Sequence, residues 1–295
     1  MSYITLLTND FGKISQYQKA NGIDILEIKH RLCAASISLY GGQVLNWQPV
    51  DQLPVFWLSD RSIYQPGKAI RGGIPICWPW FGAYKDAGNH GFARQIQWHL
   101  DDIKLTENEV VLVFSTAGEN VSPFWPHAFK LVQKISFSTD FTQQLTIENL
   151  SVQSVKFTSA LHSYFNVSSP KNTSIQALNN VLFDDKVSLL NDQKDTLTNC
   201  VGPLDRIYHN QSVQQIKDIG WQRTIEVKST QCEQWVLWNP GRKIAESMTD
   251  IHKEGENEFV CLEAANTKWL TIAGHESITL EQTVSVSANS NVTPR

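Results

Sequence analysis

Apolar and polar side chains alternate with a period of two through most of the 295-residue chain. Between Phe129 and Phe137, the residues Phe129, Leu131, Ile135 and Phe137 fall on one face, with Gln133 the exception, while Lys130, Lys134 and Ser136 fall on the other. Near the end, Ile278, Leu280, Val284 and Val286 alternate with Thr279, Glu281, Thr283 and Ser285. The same reading covers Ile23–Lys29, Ala35–Tyr40, Glu109–Ser115, Thr142–Glu148, Thr224–Lys228 and Trp235–Trp238. These runs are rich in β-branched and aromatic residues and bounded by turn chemistry, the signature of strands. No stretch keeps apolar residues at i, i+3, i+4 and i+7 for more than one or two turns. Strands do not alternate regularly with long helices, which disfavours a doubly wound α/β sheet. The pattern predicts an all-β chain, a β-sandwich of many strands. Asp184–Gln211, polar and punctuated by Asn191-Asp192, Gly202-Pro203 and Asn210, reads as a long excursion from the sheets, the kind of loop that often carries function. Ser287–Arg295 is small and polar and reads as a frayed end.

Composition narrows the choices. At 41% hydrophobic and 18% charged residues, the chain has ample material for a core, and no shift in composition divides it. A formal net charge of -4 argues against a dedicated nucleic-acid binder, which needs a clustered basic surface. The first ten residues have no basic region followed by an apolar stretch, so no signal peptide is expected. No window approaches 18 consecutive apolar residues, and no membrane span is expected. The five cysteines, Cys33, Cys77, Cys200, Cys232 and Cys261, are scattered and form no C-x-x-C pair, which fits a reducing cytoplasm better than a disulfide framework or a zinc site. Of 30 aromatic residues, 10 are tryptophan, by default core filling.

Motifs for nucleotide binding, zinc proteolysis and α/β-hydrolase chemistry are absent, so a bound cofactor is not expected. Four segments look unlike ordinary strand or turn. Arg71-Gly-Gly-Ile-Pro-Ile-Cys-Trp-Pro-Trp-Phe-Gly82 sets prolines and glycines among buried-type residues. His90-Gly-Phe-Ala-Arg94 places a histidine and an arginine beside a permissive glycine. Leu161-His-Ser-Tyr-Phe-Asn166 embeds His162 in an aromatic run, and Phe259-Val-Cys-Leu-Glu-Ala-Ala-Asn266 puts Glu263 in an apolar strand. Each taken alone has a plain structural reading. A histidine in an apolar strand is more often a hydrogen-bonded core residue than a catalyst. A strand glutamate is usually solvated or paired, and Arg71 and Arg94 could be paired surface charges.

Taken together and in this order, the four segments resemble the aldose 1-epimerase superfamily, and within it the hexose-6-phosphate mutarotase branch. The resemblance runs from residue 71 to residue 266. It implies a large antiparallel β-sandwich of the galactose-mutarotase type, with a sugar bound on the concave face. It implies His162 as general acid and Glu263 as general base, with Arg71, His90 and Arg94 contacting substrate. Asp205, in Leu204-Asp-Arg-Ile-Tyr208, matches an acidic sugar-binding residue of the family. Because motifs this far apart must meet in one cleft, a single domain over residues 1–295 is expected.

Interconverting sugar anomers requires a base for the anomeric hydroxyl and an acid for the ring oxygen, and a carboxylate with an imidazolium suits that task near neutral pH. A neighbouring carboxylate is expected to keep His162 charged. Arginine is the side chain best matched to a phosphate dianion, so Arg71 and Arg94 favour a phosphorylated sugar. The aromatics of Trp78-Pro-Trp80-Phe81 and Tyr164-Phe165 have a second role open to them, packing on sugar C–H faces; core filling stays the default for each single tryptophan, with one small cluster around Trp78 and Trp80 expected at the sugar site. The expected protein is a cofactor-independent hexose-6-phosphate mutarotase, cytoplasmic and monomeric, whose partner is a small sugar phosphate. Its rivals are a mutarotase of free aldoses and a non-catalytic sugar-phosphate-binding sandwich.

Overall fold

The structure, a computed structural model, describes residues 2–288. Strands dominate it, and the one α-helix among the described residues is the five-residue Gly241–Ala245. Three sheets form, in which every named strand pair is antiparallel. The N-terminal sheet is a five-stranded meander: Ile4–Asn9, Gly12–Gln18, Asp24–His30, Cys33–Ser38 and Gln43–Pro49. The back sheet has eight strands, with Arg223–Thr230, Ser277–Ala288, Phe141–Asn149, Phe129–Phe137, Val110–Gly118 and His99–Leu105 side by side in that order. The eight-stranded site sheet runs through Leu190–Gln193, Phe183–Asp185, Leu204–Tyr208, Gln234–Asn239, Phe259–Ile272, Val155–Leu161 and Ile76–Cys77, with Tyr164–Asn166 added beside Phe259–Ile272.

The alternating runs sit where one face is buried and the other wet. In Phe129–Phe137 every second residue is buried, Gln133 among them, and Phe141–Asn149 repeats the pattern. Their inner faces join the site sheet in one contiguous apolar cluster that draws on residues from Ile14 to Val284. The N-terminal sheet closes onto the back sheet through Trp47, whose ring lies 5.7 Å from Phe141 and whose indole N–H donates to the Ser138 carbonyl at 3.2 Å.

Two regions depart from the sequence reading. Asp184–Gln211 is not a free excursion: Phe183–Asp185, Leu190–Gln193 and Leu204–Tyr208 are strands at the edge of the site sheet. They are three to five residues long and polar, too short to show an alternation. Val155–Leu161 escapes the pattern for the opposite reason, since Phe157 through Leu161 are buried on both faces. At the C-terminus, Ser287 and Ala288 are not frayed but end the strand Ser277–Ala288, paired with Thr224 and Arg223; residues 289–295 lie outside the described region.

Candidate active site

The central strand of the site sheet, Phe259–Ile272, presents Cys261, Glu263 and Ala265 to the outer face and Leu262 and Ala264 to the core, as the two-residue period requires. Glu263 pairs across to Val236, and Val236 to Ile207, so the three side chains share one face. One step along, Trp238 pairs with Asp205. Two residues on from Ile207, His209 leaves the same face, where its Nε2 lies 3.1 Å from Asp184 Oδ2. Cys77, Ala160, Ile207, Val236 and Ala265 give this face an apolar floor.

Over that floor opens a cleft of about 770 Å³. Arg71, His90, Arg94, His162, Asp205 and Glu263 all line it, so residues spread over almost 200 positions of sequence meet on one surface. The wall is completed by Phe81, Asp184, Lys186, His209, Trp238 and Lys268.

His162 reaches the cleft from a break in its strand. The Ser163 N–H donates to the Leu161 carbonyl at 3.0 Å, making a three-residue turn centred on His162, while the His162 N–H donates to the Pro75 carbonyl at 3.0 Å. The imidazole stacks on Tyr164, with centroids 4.8 Å apart and planes 7° from parallel, and meets Trp238 edge-on. Its Nδ1 lies 3.4 Å from Glu263 Oε1, yet neither His162 Nδ1 nor Glu263 Oε2 has a hydrogen-bond partner. Buried polar atoms are usually paired, so this wall of the cleft carries two polar atoms whose hydrogen-bonding capacity is unused.

Burial pushes the Glu263 carboxyl well above the usual carboxylate range, and the Asp205 charge adds to the rise. Burial likewise holds His162 well below an ordinary imidazole, helped by His90, Arg94 and Arg71. The expectation that a carboxylate keeps His162 charged is therefore corrected: desolvation of both groups outweighs their attraction, and both lean to their neutral forms. His90 is lowered to about 3, by burial and then by Arg94 and Arg71. The Gly82 N–H donates to His90 Nδ1 at 3.1 Å, so the neutral ring carries its proton on Nε2 and can donate from there. Asp205 is raised to about 6, chiefly by burial, with Asp185 adding to the rise and Lys186 opposing it.

The two arginines differ. Arg71 donates through Nε to Asp250 Oδ2 at 3.0 Å and through Nη1 to the Tyr164 hydroxyl at 2.8 Å. Burial works against its charge, and Tyr164 with Asp250 more than offsets that. Arg94 takes part in none of the ion pairs among the described residues; its Nη2 donates to the Asn89 carbonyl at 3.0 Å and its buried Nε has no partner. Glycine chemistry sets both segments in place. A Cβ on Gly73 (φ +62°) would lie 2.0 Å from the Val44 carbonyl oxygen, and one on Gly91 (φ +64°) would lie 1.9 Å from that of Trp78.

The aromatic cluster is corrected too. Trp78 and Trp80 are buried in the main core, packed with Phe92, Trp125 and Tyr84 rather than facing the sugar site. Phe81, the next residue, and Trp238 line the cleft instead. Sequence reasoning also passed over Asp250, the partner of Arg71, and the rim residues Lys186, Lys268 and His209. None of these four carries a sequence signal of its own, whereas Trp238 at least falls in the alternating run Trp235–Trp238.

Comparison with known proteins gives the family and the fold. The family model described as aldose 1-epimerase matches residues 24–285. A protein of Escherichia coli (strain K12) named "Putative glucose-6-phosphate 1-epimerase" is 37% identical over 257 residues, covering 84% of this chain and 85% of its own. One of the same name from Salmonella typhimurium is 36% identical over 255 residues, covering 83% of this chain and 84% of its own. A crystal structure from Salmonella typhimurium described as a "putative mutarotase" superposes with a TM-score of 0.88 at 33% identity, covering 97% of each chain. A galactose mutarotase-like protein from Clostridium acetobutylicum, at 14% identity and a TM-score of 0.72 over 95% of this chain and 100% of its own, shares the fold.

Proposed function

The chain belongs to the aldose 1-epimerase family of isomerases, with the β-sandwich of the galactose-mutarotase type, and from that premise we propose that it interconverts the α and β anomers of a hexose 6-phosphate, glucose 6-phosphate first among them. The observation that carries the reading is the buried His162–Glu263 pair, 3.4 Å apart, with an orphaned atom on each group and a cleft in front of it. We read the whole chain as one domain, in keeping with the main apolar cluster, which gathers residues from Ile14 to Val284.

In this mechanism Glu263 takes the proton from the anomeric hydroxyl while His162 gives one to the ring oxygen. The C1–O5 bond breaks with its electron pair to O5, and O1 becomes the aldehyde oxygen. Rotation about C1–C2 presents the other carbonyl face, and the same two groups return their protons as the ring closes. The pair needs one proton between them throughout. With it on His162 the ring opens; with it on Glu263 the open chain is held. The desolvated cleft favours two neutral groups, the second arrangement. Neutral His90 donates from Nε2 to a sugar oxygen, and Asp205 accepts from a hydroxyl. Phe81 and Trp238 offer faces to the sugar C–H groups and keep water from the pair.

The case for phosphate rests on Arg94. Arg71 already shares its charge with Asp250, whereas Arg94 holds a buried Nε that lacks an acceptor, and Lys186 and Lys268 stand on the same wall. Exchange NMR of anomer interconversion tests this. Glucose 6-phosphate should equilibrate far faster than free glucose, and Arg94→Gln should lower kcat/KM for the phosphate about 100-fold while changing free glucose little. Faster turnover of the free sugar by the wild-type protein would overturn the phosphate assignment and leave the family chemistry standing.

A further inference from the structure

His162 and Ser163 are neighbours that face opposite sides of the site sheet: the imidazole enters the cleft, and the hydroxyl enters the core. There Ser163 Oγ donates to Gln282 Oε1 at 3.0 Å. Gln282 Nε2 donates to Gln143 Oε1 at 2.8 Å, Gln143 Nε2 donates to Gln133 Oε1, and Gln133 Nε2 donates to the Gly42 carbonyl at 2.6 Å. All four side-chain members are fully buried. The glutamines stand on three adjacent strands of the back sheet, at positions whose neighbours along each strand are Leu131, Ile135, Phe141, Leu145, Leu280 and Val284. Gly42 lies in the turn between the last two strands of the N-terminal sheet. The chain of amides thus starts in one sheet, crosses the second and ends beside the imidazole carried by the third.

We infer that Gln133, Gln143 and Gln282, acting through Ser163, are positioning residues that hold His162 at its distance from Glu263; the inference builds on the acid–base role proposed above for that pair. An apolar residue at each glutamine position would pack as well and gain burial free energy, so packing alone does not explain three amides in a row. A fully paired polar chain does something apolar side chains cannot: it accepts one geometry and resists sliding. Here every donor points the same way, from Ser163 towards Gly42, and no side-chain N or O atom of the three glutamines lacks a partner. The turn they anchor is the irregular one. His162 sits at its centre, and the Leu262 N–H reaches the Ser163 carbonyl at 3.1 Å. Through that bond the same peptide is tied to the residue before Glu263. Releasing the Ser163 hydroxyl frees the turn to relax and alters the His162–Glu263 spacing.

The test uses Ser163→Ala and Gln282→Met, which cut the chain next to the turn, with Ser163→Thr as the variant that keeps the hydroxyl. Asn149→Ala is the control, since Asn149 is an equally buried amide with partners outside this chain. The first readout is the His162 ring resonance in labelled full-length protein, which needs no substrate. It should shift and broaden in Ser163→Ala and Gln282→Met, and stay in place in Ser163→Thr and Asn149→Ala. The second readout is anomer exchange of glucose 6-phosphate, where the two cut variants should lose about tenfold in kcat with KM within twofold, and Ser163→Thr should recover it. An unmoved His162 resonance in both cut variants overturns the inference whatever the activity. A moved resonance in a protein whose wild type accelerates no aldose or aldose-phosphate exchange upholds the positioning and removes the reaction.

Discussion

Two polar clusters lie buried within one residue of each other, on opposite faces of the same sheet, and they are built on opposite terms. On the core face, Ser163, Gln282, Gln143 and Gln133 satisfy one another to the last amide. On the cleft face, His162 and Glu263 are as deeply enclosed, yet each keeps an atom without a partner. A buried polar group costs free energy unless hydrogen-bonded. The first cluster minimises that cost and specifies the fold. The second retains part of it, on the wall of the cleft. Between these two clusters depth of burial differs little, and what differs is how far the buried atoms are paired.

The largest expected effect breaks this contrast on the cleft side. Glu263→Gln keeps the shape and removes the base, so anomer exchange should fall about 1,000-fold while sugar-phosphate binding persists. Because the variant also removes a carboxyl that burial disfavours as an anion, its thermal midpoint should match or exceed that of the wild type. A large loss of stability with activity intact would mean that Glu263 belongs with the satisfied, structural group.

The second break is on the structural side. Asn149 is 1% exposed, and its amide serves the carbonyls of Gln153, Ile272 and Ala273 while its oxygen accepts from the Ser151 N–H. Asn149→Ala removes all four of these hydrogen bonds and should lower the unfolding free energy by about 3 kcal/mol, measured by urea melts, with kcat per folded molecule unchanged. A fall in kcat without a fall in stability would show that the two faces are not separable in this way.

The same contrast explains what could be read in advance. Strands with one wet face, such as Phe129–Phe137, announce themselves by alternation, and so Gln133 already stood out as a misfit. Strands buried on both faces, like Val155–Leu161, or short at an edge, like Phe183–Asp185, carry no such signal. The six residues drawn from the motifs and the family resemblance do line one cleft, because motif residue types and their order survive in sequence. Which way a side chain points does not. Trp78 and Trp80 share a motif with Phe81, but the irregular backbone turns both indoles into the core and leaves Phe81 to the cleft. Partners such as Asp250, 179 residues from Arg71, are set by tertiary structure alone.

The smallest effect sharpens the contrast by a graded measure, pH. Asp205 is raised to about 6 in the folded protein, from an ordinary value near 3.8, because burial disfavours its charge and Asp185 stands close. A carboxyl whose folded value lies above its unfolded one stabilises the protein fully below the unfolded value, and that contribution is lost as pH rises through the folded value. Stability should therefore decline between about pH 4 and pH 6 and then level off. Asp184, Lys186, His209 and Glu263 line the same cleft, so the slope of the wild type alone is not diagnostic. The difference from Asp205→Asn is. The variant should match the wild type near pH 4 and exceed it by about 1 kcal/mol above pH 6, less than a two-unit shift would give in isolation because the carboxyl is partly exposed to water. Sugar-phosphate binding should weaken in the variant over the same range, since the charged form is the one that accepts the sugar hydroxyl. Urea midpoints of both proteins at pH 4, 5, 6 and 7 decide it: parallel curves would mean that Asp205 titrates as a solvated surface group and that its place in the cleft carries no strain.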